Sequence, residues 1–310
     1  MNNKIKEYRQ EITEKVIKAV EQGTAPWQRP WSGGCFPQNA ISKRRYNGSN
    51  TIILSLRGAE MDGGEDPRWI TFQQALSKGW NVRKGEHGTR ISFWKNLVMP
   101  LTDETGEPVL NREGGPAMKR TLMEKLFTVF HASQIEGIPP YMPNLVNAVE
   151  ANEKADRVIS DSGADIRHGG YSAFYRRKDD FIQIPKQGFF ADTAGYYAAL
   201  LHELIHWTGH EARLNRPYDT LMGSPAYARE ELVAEMGSMF LSAETGIPQS
   251  AEHFQNHAAY IEGWVTLLRS DSNILFKTAA EASKAAEFLL TKEREREKEA
   301  YESGIEEGAA

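Results

Sequence analysis

Apolar residues recur at helical spacing from the start of the chain. Ile5, Tyr8, Ile12, Val16, Ile17 and Val20 share one face of a predicted helix over 4–22, which Gly23 stops. The Pro26-Trp27…Pro30-Trp31 repeat predicts a stiff, extended loop. A second helix is expected over 50–60 after the Asn47-Gly48 turn, and a short one over 72–78 with Thr71 as its cap and Gly79 as its stop. Residues 90–98 and 125–130 read as strands, joined by an excursion over 101–117 rich in Gly, Pro, Asp and Glu. The run Gly137-Ile138-Pro139-Pro140-Tyr141-Met142-Pro143 is a stiff linker. Beyond it, helices are expected over 144–162, 193–209 (capped by Thr193), 225–244, 251–270 and from 279 onward, with short strands at 173–175 and Phe181–Ile184. The fold class is therefore α+β: a small α+β domain over 1–136, a linker over 137–145, a mostly helical domain over 146–290, and a charged, solvated tail over 291–310 that frays at its end.

Composition changes this picture little. At 310 residues the chain can hold two cores, and 40% hydrophobic with 25% charged residues is ordinary for a globular protein. No run of 18 apolar residues and no apolar leader occurs, so a cytoplasmic location without membrane partners is expected. The single cysteine, Cys35, excludes an internal disulfide framework. Charge adds more. Residues 1–145 hold 20 Lys+Arg against 15 Asp+Glu, whereas 146–310 hold 17 against 27, so the two halves suit different partners.

The chemistry concentrates in His202-Glu203-Leu204-Ile205-His206. Histidines four apart project from one helix face, as two imidazoles must to share a tetrahedral ion. Glu203 is placed to take a proton from a water whose pKa zinc lowers to roughly 7. Zinc is the expected ion, with manganese as the alternative. Three candidates compete for the third ligand. His210 is close, but metzincin spacing asks for position 212, which is Ala212; Asp219 lies in a loop without a ligand pattern. The helix Tyr227-Ala228-Arg229-Glu230-Glu231-Leu232-Val233-Ala234-Glu235 resembles the second metal helix of gluzincins, which implies Glu231 as ligand, with Glu230 as its rival, and Glu235 as the group orienting a ligand histidine. Tyr227, His253 and His257 are candidate oxyanion donors, and residues 180–185 a candidate edge for a peptide substrate.

In the first half, Lys43, Arg44, Arg45 and Tyr46; Arg68 and Trp69; Trp80, Arg83 and Lys84; and Arg90, Trp94 and Lys95 interleave basic and aromatic side chains. That composition suits a single-stranded nucleic-acid groove, though scattered surface charge would look the same. The strings Gly23–Trp31, Tyr46-Asn47-Gly48-Ser49-Asn50, Pro67–Ala75, Val82–Glu86, Val129–Gly137, His202–His210 with Arg213-Leu214-Asn215-Arg216, and the 227–235 helix are very similar to the ArdC antirestriction family of conjugative plasmids and phages. His131 stands where that pattern has Asn. Related N-terminal domains occur in TraC-type plasmid primases. The resemblance implies an N-terminal domain that binds single-stranded DNA, a zincin-like metallopeptidase domain, and protection of incoming DNA from restriction, with a host restriction protein as partner. The competing expectations are a DNA-binding shield with a structural or vestigial metal site, and a peptidase acting on an unrelated host protein.

Overall fold

The computed structural model describes residues 3–28, 36–61, 66–142, 147–217, 221, 223–248 and 258–307. Pro30, Trp31, Cys35, Pro143, Asp219, His253, His257 and the last three residues lie outside them. The architecture is α+β, as the pattern predicts.

Helix α1 (Asn3–Glu21) buries Tyr8, Ile12, Val16, Ile17 and Val20, and α2 (Ser49–Gly58) buries Ile52, Ile53 and Leu54. Strand β1 (Gln38–Asn39) runs parallel to β2 (Arg68–Thr71), which leads into α3 (Phe72–Ser77). Thr71 caps α3 as expected: its hydroxyl accepts from the Gln74 amide at 3.2 Å, and the Gln74 side chain accepts from the Thr71 amide at 3.2 Å. Strand β3 (Asn81–Val82) pairs with β6 (Ile135–Glu136). Between them, β4 (Thr89–Pro100) and β5 (Met118–His131) form a hairpin paired without a break from Thr89↔Val129 to Pro100↔Met118. These strands outrun the predicted ones because their outer rungs bury neither face, so backbone pairing continues where the alternation of polar and apolar residues stops. The sheet order is β1-β2-β5-β4.

In the second half, α4 (Ala148–Ser162) is capped by Asn147 and closed by Gly163. Strands β7 (Asp165–His168), β8 (Phe174–Arg176) and β9 (Phe181–Ile184) follow, in the order β7-β9-β8. The residues expected to be a free edge, 180–185, therefore lie on the central strand, paired on both sides, and β7 and β8 are the edges. Helix α5 (Thr193–Thr208) is capped by Asp192, not Thr193: the Asp192 carboxylate accepts from the Gly195 amide at 2.7 Å. Helices α6 (Pro225–Thr245), α7 (Ala258–Ser270) and α8 (Asn273–Glu307) complete the chain. Helix α8 starts ahead of the expected position 279 because Asp271 accepts from the Asn273 amide at 2.9 Å and Leu275 and Phe276 are buried. It continues unbroken through residue 291, where Glu293 is buried and paired with Arg157 of α4 at 2.9 Å.

One hydrophobic core joins α1 and α2 to α5, α6, α7 and α8. Its decisive crossing is α5 on α6. A Cβ on Gly237 would sit 2.8–2.9 Å from three side-chain carbons of Ile205, so glycine there sets how closely the two helices approach.

Candidate metal centre and nucleic-acid interface

The α5–α6 crossing brings together side chains that sequence separates by a loop. His202, His206 and Glu231 each present a ligand atom within 4.8 Å of the others, and among the described residues no other such His/Cys/Asp/Glu group is found. The two Nε2 atoms are 3.1 Å apart, and each lies 3.6 Å from an oxygen of Glu231. Ligand atoms about 2.0–2.2 Å from a shared tetrahedral ion are separated by roughly 3.3–3.6 Å, so the three fit one small divalent cation. The flanking carboxylates agree. Nδ1 of His202 lies 3.3 Å from Glu235 and Nδ1 of His206 lies 3.3 Å from Glu230, so each ring faces a carboxylate with Nδ1 and turns Nε2 toward the same point.

Electrostatics points the same way. Burial disfavours charge on His202, but the carboxylates of Glu231 and Glu235 outweigh it and hold the imidazole well above its usual pKa. Burial would likewise raise the Glu231 carboxyl, yet His206 and His202 pull it down to about 2. The cage therefore favours positive charge at its centre. Glu203 is half-buried beside His202 on α5 and adds its negative charge to both histidines. Burial raises the Tyr227 phenol, and Tyr260 and Glu231 raise it further, so it stays protonated; its oxygen is 3.2 Å from that of Tyr260. His210, the rejected third ligand, accepts from the Ala212 amide at 3.1 Å.

Glu230 is in the cage by a different route. Its two oxygens accept from Arg216 Nη2 at 2.6 Å and Nε at 3.0 Å, and Arg216 also donates to the Ile205 carbonyl and the Thr208 hydroxyl, at 2.6 and 2.7 Å. Arg216 reaches this buried position because the turn after α5 folds back at Gly209, where a Cβ would lie 2.9 Å from its Nη2. No spacing pattern in the sequence marks Arg216 for this position; only the folded turn brings it to Glu230.

The basic and aromatic residues of the first half divide. Arg44, Arg45, Tyr46, Trp94 and Lys95 line one groove of about 600 Å³, together with Phe93 and Phe127. Trp94 is 58% exposed there. Lys43 lies in an adjoining cavity against α6 and α8, and Arg45 donates to the Ala243 carbonyl of α6 at 2.7 Å. The others sit elsewhere. Trp69 is 1% exposed, packed with Leu54, Ile91 and Val129, so its ring is a core side chain that no base can reach. Arg68 is held by Asp66 at 2.7 Å and by the Pro139 carbonyl, while Arg90 pairs with Glu11 in a separate cavity. Trp80 packs beside Ile70, Ala75 and Ile135, and Arg83 and Lys84 are exposed near it.

Among the described residues, no helix is long and apolar enough to cross a membrane. Two family models match the chain: the N-terminal domain of anti-restriction factor ArdC over residues 6–130, and a zincin-like metallopeptidase over residues 153–281. DNA primase TraC of Escherichia coli is 41% identical over 300 residues, 93% of this chain; the chain spans 27% of that primase's length. The metal-free crystal structure of the antirestriction ArdC protein from R388 plasmid superposes with a TM-score of 0.73 at 34% identity, covering 91% of this chain and 96% of that one. Its Mn(II)-bound structure gives 0.70 at 34% identity, covering 91% and 97%.

Proposed function

Because the chain belongs to the ArdC antirestriction family, we propose that it protects the DNA of a mobile element from host restriction in the cytoplasm. In this proposal it binds single-stranded DNA through its first 136 residues and cleaves peptide bonds at a divalent-metal site in residues 146–290. The observation that carries the peptidase reading is the His202–His206–Glu231 cluster with Glu203 beside it. A His₂Glu donor set with one open position suits a catalytic rather than a structural ion. Zinc is the ion proposed. Manganese is the alternative, supported by the Mn(II)-bound relative.

The chain's own residues divide the work. His202, His206 and Glu231 would hold the cation, which supplies Lewis acidity toward a water and a peptide carbonyl. Glu203 takes the proton of the attacking water and returns it to the leaving amine. Glu235 and Glu230 keep the two imidazoles in the tautomer that presents Nε2. Tyr227, held protonated, donates to the developing oxyanion. The substrate peptide pairs with β7 or β8, the edges of its sheet, and a component of the host restriction system is the proposed substrate.

For DNA, Tyr46 and Trp94 offer ring faces while Arg44 and Lys95 meet phosphates in the groove. The test is a plasmid-transfer assay into restricting and non-restricting hosts, with Glu203→Gln beside the unaltered protein. Lost protection with metal content retained supports the peptidase. Full protection by Glu203→Gln would reduce the metal site to a structural part.

A further inference from the structure

The β4–β5 hairpin carries an unequal distribution of charge over its two faces. Cross-strand partners share a face. On one face, Phe93 opposes Lys125, Lys95 opposes Met123, and Met99 opposes Lys119, so three rungs each pair a lysine with an apolar side chain. The three lysines are exposed, and none of them enters an ion pair among the described residues. Phe93 and Phe127, on that same face, are 45% and 44% exposed and meet edge to face at 5.6 Å. No carboxylate lies on this face. The single acid of the two strands, Glu124, points the other way and is buried against Arg9 at 2.7 Å.

A lysine beside an apolar side chain on three of four consecutive rungs, with Leu97 opposite Thr121 on the other, matches a polyanion whose own apolar rings alternate with its charges. It does not match a protein partner bearing mixed charge. The base of the face, at Phe93, Lys95 and Phe127, already lines the groove that Tyr46 and Trp94 also line, so the face begins at that groove. Beyond Met99 and Lys119, the excursion carries Asp103, Glu104, Glu107 and Glu113 against Arg112 alone. Those acids would repel phosphates and end the path at the last rung.

We infer that this hairpin face is the outer half of a single-stranded DNA track, in which bases contact Phe93, Phe127 and Met123 while Lys95, Lys119 and Lys125 follow the backbone. The inference rests on the DNA-binding reading above and extends it beyond Lys95 to Phe93, Lys119, Met123, Lys125 and Phe127.

The experiment uses the full chain and fluorescein-labelled oligothymidylates of increasing length, with anisotropy read at several salt concentrations. The unaltered protein should gain affinity when the oligonucleotide outgrows the groove. Lys119→Gln with Lys125→Gln should remove that gain, leave the shortest ligand unaffected, and reduce the salt slope by about 1.4, roughly 0.7 per phosphate contact on single strands. Phe127→Leu should weaken long-oligonucleotide binding by tenfold or more. Unchanged length dependence and slope in the double variant, with the unaltered chain still binding, would overturn the track while leaving the groove intact. A change in oligomeric state in place of any change in DNA binding would make this face a contact between copies. No binding by the unaltered chain would overturn the DNA reading and the track together.

Discussion

Arg216 and Glu230 form a buried two-point ion pair, and the same Glu230 lies 3.3 Å from Nδ1 of His206. A loop arginine thus holds a helix carboxylate, which contacts a histidine of the proposed metal cage. Charged groups this buried persist only when paired, and Arg216 has further acceptors in Ile205 and Thr208.

Glu230→Gln should therefore weaken divalent-metal affinity by about 10–100-fold, the usual loss for a group that orients a ligand histidine. Titration calorimetry with zinc and with manganese reads it. Arg216→Met should do the same and also destabilise the metal-free protein by about 3–5 kcal/mol, because it strands a buried carboxylate. Unaltered metal affinity in both variants would detach the pair from the cage.

Gly237→Ala forces a methyl group into Ile205 and should cost about 1–3 kcal/mol of stability. Adding Ile205→Val should restore part of the loss in thermal unfolding. A larger effect on metal binding than on stability is expected, since the crossing sets the distance between α5 and Glu231.

Trp69→Ala and Trp94→Ala separate core from surface. Loss of Trp69, fully buried, should cost about 3–5 kcal/mol. Loss of the exposed Trp94 should leave the unfolding midpoint in place while weakening oligonucleotide binding. The reverse pattern would put the groove elsewhere.

His131 gives a pH signature. Burial lowers its pKa from the ordinary 6.5; its Nε2 donates to the Asp66 carbonyl at 2.6 Å, and its Nδ1 accepts from Ser133. The fold thus prefers the neutral ring, and the unfolded chain binds the proton more readily. The stabilisation is fully present above pH 6.5 and is lost as pH falls through the lowered folded value. His131→Asn should flatten this part of the stability profile, measured by unfolding midpoints between pH 7.5 and 5.

Part of this architecture is legible in the sequence. Helical periodicity located α1, since a pattern repeating every 3.6 residues is complete within its own segment. The His202/His206 spacing placed two imidazoles on one face for the same reason. The alternation pattern predicts hairpin strands shorter than those formed, because alternation reports burial and the outer rungs bury nothing.

What the sequence determined by itself, then, was local: which segments are helices, which two histidines share a face, which acids lie one turn apart, and which strings match a family. Tertiary packing decided the rest. It set Glu230 and Glu231 to different tasks, buried Trp69 while exposing Trp94, put residues 180–185 in mid-sheet, and delivered Arg216 to the cage. Neighbouring residues on one helix differ in spacing by a single position, and only the approach of a second helix, limited here by Gly237 against Ile205, determines which of them reaches the two histidine Nε2 atoms.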